Sequence, residues 1–256
     1  MLRLKGDPLS GGPVRGYINL TQMENQAYSG SGGMTHVSGS EDHLSNSVYV
    51  MKGGPPPEAL STLAEGTSRF SECGFIVEKP SRGLANLLSE WSASAVAGIP
   101  SDYFRAGDAV SINGADGTVE MDNICAREVV SCLVQSGGKT LILKRSESVG
   151  SWQGKWAAVS GYIEEGETPT DTAFKEMKEE LSVERPTLVR RGSPIVTRKE
   201  GIVWVSHPFL FALDDSDSDI KIDWEHADFR WITLDELPRF DTVPGLGRML
   251  SALGLS

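Results

Sequence analysis

GYIEEGETPTDTAFKEMKEELSV, residues Gly161–Val183, carries the strongest structural signal in this chain. Thr168 suits the N-cap position of a helix, and Pro169 suits the first helical position, where its missing N–H has no intrahelical partner to lose. Asp171 stands three residues after Thr168 and completes a pair that is similar to a capping box. The sequence therefore predicts a helix over residues 169–181.

The predicted helix has an apolar face and an acidic face that lie side by side. With Ala173 at zero, the apolar side chains fall between about 40° and 100°; they are Phe174, Met177 and Leu181. The acidic side chains fall between about 240° and 340°; they are Glu176, Glu179 and Glu180. We therefore expect one face to pack on a sheet and the next face to present three carboxylates together.

Such a carboxylate cluster can be a solvated acidic face or a metal site. Like charges one turn apart destabilise a helix, and most charge runs are simply solvated. Here, however, the glutamates border the apolar face, and a glycine-bearing strand and an acidic loop lead directly into the helix. Mg²⁺ prefers such oxygen ligands and leaves room for phosphate oxygens. The pattern therefore favours a site for a divalent cation.

The same stretch resembles the conserved box of the Nudix hydrolase family. That box reads Gly, five residues, Glu, seven residues, then Arg-Glu-aliphatic-x-Glu-Glu-x-Gly-aliphatic. This chain has Gly161, then Glu167, then Lys175-Glu176-Met177-Lys178-Glu179-Glu180-Leu181-Ser182-Val183. All four glutamates and the opening glycine are in register, and the wider resemblance covers about residues 124–256. The resemblance implies a Nudix fold and a hydrolase.

Two positions of the box depart from the family pattern. Lys175 replaces the arginine that braces the catalytic helix, so the positive charge is kept and the planar fork is lost. Ser182 replaces a glycine that allows a left-handed helix end, a conformation that serine tolerates less well. Neither change removes a metal ligand, so these changes bear on catalytic rate more than on fold.

The resemblance implies a metal site and a set of catalytic groups. The metal would be Mg²⁺, with Mn²⁺ as an alternative, and its ligands would be Glu176, Glu179, Glu180 and a backbone carbonyl of Ser160 or Gly161. The reaction would be water attack on a phosphorus atom of a nucleoside diphosphate linked to another group. The general base stays open between Glu179, Glu164 and the acidic loop Asp214–Asp219. Glu176 completes the predicted catalytic set.

Other residues near the box have weaker assignments. Glu167 is expected to pair with Lys175 rather than to bind metal. Arg145 and Lys155 could contact phosphates or form surface ion pairs, and Trp152 could stack on a base or pack in the core.

The first part of the chain resembles the swivelling phosphohistidine domain of phosphoenolpyruvate-utilising enzymes. The matching segments are CGFIVEKPSRGLANLLSEWSASAVAGIP and FRAGDAVSINGADGTVEM. The histidine that this family phosphorylates is absent from residues 81–90, so we expect the fold without phosphotransfer. We predict two domains, a swivel-like domain over residues 1–123 and a Nudix hydrolase domain over residues 124–256.

The predicted fold class is α/β, with a Nudix-type mixed sheet sandwiched by helices and preceded by a swivel-like β/α domain. In the first domain we predict helices and strands at Pro57–Glu65 (helix), Gly74–Glu78, Gly83–Ala97 (helix), Ala109–Asn113 and Gly117–Met121. In the second domain, besides the box helix, we predict elements at Arg127–Gln135, Thr140–Arg145, Ala157–Ile163, Leu188–Thr197, Ile202–Leu213, Phe229–Thr233 and Leu246–Leu253 (helix).

Composition limits the classes of partner. The 256 residues carry a net charge of −11, which argues against a protein that binds a nucleic-acid backbone. No apolar run approaches the ~18 residues of a membrane span, and the first residues lack the apolar core of a signal peptide. We therefore expect a cytoplasmic protein that acts on a small nucleotide diphosphate, without a nucleic-acid or membrane partner; a homodimer stays open.

Two alternative functions remain at this point. One is a Nudix-like sensor that binds a nucleotide without cleaving it, which the changes at Lys175 and Ser182 favour slightly. The other is an isopentenyl-diphosphate isomerase, which shares the fold but uses a cysteine near the strand before the helix. That strand reads AAVSGYI here and has no cysteine, so this alternative ranks low.

Overall fold

The computed structural model describes residues 1–20, 47–51, 73–199, 201–213 and 220–255. The chain forms two compact units. The first consists of Met1–Cys125 and Arg198–Val203, and the second of Ala126–Thr197 and Trp204–Ser256. The predicted helix Pro57–Glu65 and the acidic loop Asp214–Asp219 lie outside the described residues.

The first unit is built on a mixed eight-stranded sheet. Its strands are β1 (Leu2–Lys5), β2 (Asp7–Ser10), β3 (Pro13–Leu20), β4 (Ser47–Met51), β5 (Gly74–Val77), β6 (Ser94–Ala97), β7 (Ala109–Asn113) and β8 (Thr118–Met121). Their order across the sheet is β1-β8-β7-β3-β4-β5-β6-β2. The central strands β3, β4, β5 and β6 are parallel, and the outer pairs are antiparallel. Helix α1 (Arg82–Glu90) connects β5 to β6. The likeness of this unit to a swivelling phosphohistidine domain stays a prediction.

The helix predicted over Gly83–Ala97 is wrong in its second half. Helix α1 ends at Glu90, Ser92 adopts a φ of 55°, and Ser94–Ala97 is strand β6. All four side chains of β6 are buried inside the sheet. Small residues that are buried on both faces give no two-residue alternation, so the sequence pattern did not distinguish this strand from a helix.

The second unit contains a second eight-stranded sheet. Its strands are β9 (Cys125–Ser136), β10 (Lys139–Arg145), β11 (Trp156–Ala157), β12 (Val159–Tyr162), β13 (Thr187–Arg191), β14 (Ile195–Lys199), β15 (Ile202–Ala212) and β16 (His226–Ile232). The strands of the main path run β11-β10-β9-β15-β13, while β12 pairs with β9, β14 with β15 and β16 with β10. Within the described ranges, 3₁₀ segments also lie at Ser101–Tyr103 in the first unit and at Leu234–Arg239 in the second.

This sheet is mixed, as the sequence predicted. Strands β10 and β12 each run antiparallel to β9. Strands β9 and β15 run parallel, because residues that come later in β9 contact residues that come later along β15 and its continuation. Ser131 Oγ lies 2.8 Å from Ser206 Oγ, and the Leu213 N–H donates to the Gln135 carbonyl at 2.9 Å.

Two helices cover the two faces of this sheet, which confirms the predicted sandwich. Helix α2 (Pro169–Leu181) and helix α3 (Leu246–Ala252) each belong to a separate core cluster. The α2 cluster contains Val130, Cys132, Val134, Ala173, Met177, Leu181, Phe209 and Phe211. The α3 cluster contains Leu133, Ala158, Leu210, Leu246, Met249, Leu250 and Leu253. Alternate residues of β9 and β15 therefore pack on opposite helices, as the two-residue period of a strand requires.

Most element boundaries predicted for this unit agree with the structure, and α2 has the predicted bounds. The single strand predicted over Ala157–Ile163 is wrong, because β11 ends at Ala157 and pairs with β10, while β12 begins at Val159 and pairs with β9. The single strand predicted over Leu188–Thr197 is wrong, because β13 ends at Arg191 and β14 begins at Ile195. Gly192 and Pro194 lie in the break. Proline cannot donate a hydrogen bond to a strand ladder, which explains why the chain leaves the sheet there.

Helix α2 ends in an αL-type cap, and Ser182 adopts the left-handed conformation that glycine has in the family pattern. Ser182 has φ 57° and ψ 26°, its N–H donates to Lys178 O at 2.9 Å, and the Val183 N–H donates to Met177 O at 3.2 Å. The helix end is therefore formed as in the family, with a conformational cost for the side chain.

We expect Ser182→Gly to stabilise the protein by about 1 kcal/mol, because glycine adopts a positive φ without a Cβ clash. The hydrogen bond from Ser182 Oγ to Lys221 O is long, at 3.4 Å, so its loss subtracts little. Chemical denaturation measures the change. Ser251→Gly is the control, because Ser251 lies inside α3 and glycine weakens a regular helix. A loss of stability in both variants would contradict the strain assigned to Ser182.

Candidate active site

The loop before α2 is joined to the helix by Glu167 and Lys175, the pair that the sequence predicted. Lys175 Nζ donates to Glu167 Oε1 at 3.0 Å and lies 3.8 Å from Glu164 Oε1. The Thr172 hydroxyl donates to Glu167 Oε2 at 2.7 Å. The hydrogen bonds from Thr172 and Lys175 lower the pKa of Glu167. Lysine in place of the family arginine therefore still holds the loop against the helix.

Glu180 is a buried carboxylate with one oxygen that lacks a hydrogen bond. The residue is 3% exposed. Its Oε1 accepts a hydrogen bond from the Ser160 N–H at 3.2 Å, while its buried Oε2 has no hydrogen-bond partner among the described residues. His226 Nε2, also buried without a hydrogen bond, lies 3.6 Å from Oε2. Burial raises the pKa of Glu180 well above its usual value. An ionised carboxylate at this position is costly unless a cation compensates it.

Glu176 occupies the space that a side chain at Gly161 would need. A Cβ on Gly161 would lie 1.8 Å from Glu176 Oε1, so only glycine permits this approach. Burial, followed by the charge of Glu179, raises the pKa of Glu176 to about 7. A glycine at the opening position of the box is therefore required for steric reasons, because it lets the Glu176 carboxylate lie directly against the backbone of β12.

The sequence analysis left open whether the backbone carbonyl of Ser160 or that of Gly161 would bind the metal. The hydrogen bonds of β12 distinguish between them. The Ile163 N–H donates to Glu128 O on β9, so the N–H and C=O groups of Gly161 and Ile163 point toward β9. The Ser160 N–H points the other way and reaches Glu180. Because the N–H and C=O of one strand residue point to the same side, the Ser160 carbonyl, and not that of Gly161, faces the glutamates.

The third box glutamate, Glu179, is exposed, although its charge is close enough to raise the pKa of Glu176. Glu164 is exposed as well. Over the ranges that the structure describes, no three His, Cys, Asp or Glu side chains are gathered tightly enough to hold a metal ion. Glu180 Oε2, which accepts no hydrogen bond from the described residues, and the raised pKa of Glu176 are both consistent with a site for a hard divalent cation with carboxylate ligands.

Two acidic residues that the sequence analysis did not assign, Asp223 and Glu225, belong to the same cluster. The Asp223 N–H donates to Glu180 O at 3.3 Å. The charges of Glu225 and Asp223 contribute to the raised pKa of Glu180. Burial, followed by the charge of Asp223, raises the pKa of Glu225, and Arg145 opposes this shift. Asp223 and Glu225 precede β16, and the pairing of β16 with β10 cannot be inferred from spacing. The only sequence signal for them is therefore an acidic pair on either side of a tryptophan.

The three tentative substrate residues have different surroundings. Arg145 pairs with His226 in the β10–β16 ladder, and its charge acts on Glu225, so it lies beside the carboxylates. Lys155 Nζ lies 2.5 Å from Asp241 Oδ1, so the positive charge of Lys155 is engaged in an ion pair with Asp241. Trp152 lies in a loop with a φ of 57° and is 44% exposed. The geometry therefore associates Arg145 with the acidic cluster and leaves the other two without a demonstrated link to it.

No helix among the described residues has the length and apolar character needed to cross a membrane.

Comparison with known proteins agrees with this geometry. The family model described as NUDIX domain matches residues 126–253. The nucleoside triphosphatase NudI of Escherichia coli O81 (strain ED1a) is 26% identical over 139 residues, which cover 50% of this chain and 97% of that protein. NudI of Escherichia fergusonii is 28% identical over the same coverage.

Solved structures with a similar fold include two proteins of low sequence identity. The solution structure of the E. coli ORF135 protein is 21% identical, covers 53% of this chain and 93% of its own, and has a TM-score of 0.44. The MutT protein from Methanosarcina mazei Go1 is 21% identical, covers 49% of this chain and 89% of its own, and has a TM-score of 0.42. Because the family model spans half of the chain and includes the whole glutamate box, the chain belongs to the NUDIX family.

Proposed function

We propose that this protein hydrolyses a nucleoside diphosphate linked to another group, with Mg²⁺ as its cofactor and Mn²⁺ as an alternative. The observation that carries the proposal is the buried Oε2 of Glu180, which accepts no hydrogen bond from any described residue and belongs to a side chain that lies close to Ser160, next to the glycine that Glu176 approaches. The similarity to proteins named nucleoside triphosphatases supports a nucleotide substrate. A nucleoside triphosphate fits the definition, since it is a nucleoside diphosphate linked to phosphate.

The proposed ligands of the metal are Glu176, Glu179, Glu180 and the Ser160 carbonyl. When bound, the metal would offset the charge of the phosphates and lower the pKa of the attacking water. Asp223 and Glu225 add negative charge around these ligands, and Arg145 adds positive charge next to Glu225. We propose that Arg145 attracts a phosphate group of the substrate, since a guanidinium can bind two phosphate oxygens at once.

For the general base we propose Glu179 ahead of Glu164. Glu164 is close to Lys175 Nζ, at 3.8 Å, and its backbone N–H donates to Glu167 at 3.3 Å, so it is part of the loop brace. Glu179 projects from the same helix as Glu176 and is exposed, which leaves it accessible to water. A carboxylate in this position can accept the proton of the attacking water.

Hydrolysis of a nucleotide panel tests the proposal. Phosphate or pyrophosphate release is measured for nucleoside triphosphates and for nucleoside diphosphates linked to sugars, with Mg²⁺, with Mn²⁺ and with EDTA. We expect metal-dependent release for at least one class. Tight binding of nucleotides without any release would instead favour the nucleotide sensor. Equal release in EDTA would contradict the metal-dependent mechanism.

We also propose that residues 124–256 form a self-sufficient hydrolase domain. Every proposed metal ligand lies in this segment, and about 130 residues suffice for a single hydrophobic core. A fragment that begins at residue 124 lacks Asp108, the ion-pair partner of Arg198. Loss of this pair should lower the stability of the fragment only slightly, because water can solvate the freed arginine. We expect the fragment to unfold cooperatively and to keep kcat within about threefold of the full chain, a difference of well under 1.4 kcal/mol. A folded fragment that binds Mg²⁺ without activity would contradict self-sufficiency.

A further inference from the structure

Trp224 is the most exposed of the six tryptophans in the chain. It is 67% exposed, compared with 44% for Trp152, and the other four are half-buried or buried. It stands between Asp223 and Glu225, the two acidic residues that join the glutamate cluster. A single exposed apolar side chain is common and needs no function by itself. What sets Trp224 apart is therefore its surroundings.

The turn that carries Trp224 is fixed on both sides by hydrogen bonds. The Asp223 N–H donates to the Glu180 carbonyl at 3.3 Å, and the Ser146 N–H donates to the Glu225 carbonyl at 2.7 Å. Asp223 Oδ1 also accepts a hydrogen bond from the Glu225 N–H at 3.1 Å and lies 3.3 Å from His226 Nδ1. The backbone on either side of the indole is thus tied to α2 and to the end of β10.

The charges of this turn decide which part of a nucleotide can lie against it. Asp223 and Glu225 repel phosphate, which is attracted instead to Arg145 and to the cation that the glutamates would hold. The nucleobase carries no net charge and is a flat aromatic ring. Because Trp224 is exposed and lies on the turn between Asp223 and Glu225, its indole offers such a ring a stacking surface.

We propose that Trp224 stacks on the base of the bound nucleotide and thereby favours purine over pyrimidine nucleotides. This inference rests on the proposed function, since it takes the phosphates to lie at the glutamate cluster. Purines stack over a larger area than pyrimidines, and the loss of an aromatic platform weakens binding of one base by about tenfold. Trp224 would therefore act on affinity for the base and leave the reacting phosphates unchanged.

Calorimetric binding in the presence of Mg²⁺ tests this role. The probes are a purine nucleoside triphosphate analogue with methylene groups in place of the bridging oxygens, the matching pyrimidine analogue, and inorganic tripolyphosphate, which has no base. We expect Trp224→Ala to weaken purine binding about tenfold and to leave tripolyphosphate binding unchanged. Trp224→Phe should restore most of the affinity. Val189→Ala, which removes another exposed apolar side chain on β13, should change nothing.

Each result separates the stacking role from the proposed function. Unchanged purine binding in Trp224→Ala would overturn the stacking role, and so would an equal loss for the purine analogue and tripolyphosphate. Binding of nucleotides that is sensitive to Trp224, in a protein that hydrolyses none of them, would uphold stacking and refute the hydrolase. Absence of any nucleotide binding by the unaltered protein would overturn both.

Discussion

Glu180→Gln is expected to lower kcat by roughly 10²–10³-fold, the loss seen when one group that stabilises the charge of a transition state is removed. Glutamine keeps the shape of the side chain and the acceptor for the Ser160 N–H, but it removes the negative charge that a cation would need. The measurement is steady-state hydrolysis at saturating Mg²⁺. Turnover close to that of the unaltered protein would refute Glu180 as a metal ligand.

The same variant should be as stable as the unaltered protein, or more stable, when no metal is present. Burial raises the pKa of Glu180 in the folded state above its ordinary value of 4.5. The folded state therefore holds its proton more tightly, and the ionised group lowers stability progressively as the pH rises above about 4.5. Glutamine removes this loss, so the stability difference should appear at neutral pH and vanish at acidic pH. Glu184→Gln, on an exposed side chain paired with Lys178, should retain activity and stability.

Gly161→Ala is expected to lower kcat on the order of 10²-fold, since a displacement of about 1 Å in a catalytic group has an effect of this size. A Cβ at this position would lie 1.8 Å from Glu176 Oε1 and 2.0 Å from its Cδ, so the carboxylate must move away from β12. Kinetics and Mg²⁺ titration measure the effect together. Gly247→Ala is the control, because a Cβ there would meet no other described atom within 4 Å outside its own helix. Full activity in Gly161→Ala would show that the position of Glu176 is not needed.

Much of the second unit could be predicted from sequence because its local signals agree with one another. The cap at Thr168, the proline at the first helical position and the spacing of apolar residues all indicate the same helix, and α2 has those bounds. The pair Glu167–Lys175, which the family resemblance implied, is also present in the structure.

The remaining features depend on contacts between distant segments. The burial of Glu180 results from its contact with Ser160 across the sheet edge, and helical angles alone indicated only that it borders the apolar face. Asp223 and Glu225 join the site through the pairing of β16 with β10 and through the end of α2. The small residues of strand β6 are buried by partners that no local pattern indicates, so the sequence alone predicts a helix there.

The two-faced packing of β9 limits the kinds of change that this chain can accumulate during evolution. Val130 and Cys132 face α2, Leu133 faces the other helix, and the same strand aligns Ser160 with the glutamates through the Ser131 register. Substitutions of similar size can be absorbed at each position. A one-residue insertion or deletion inside the strand would exchange its two faces and misalign the catalytic edge at once. Divergence along β9 is therefore expected to proceed by replacement of residues at constant length, while length variation is confined to the loops.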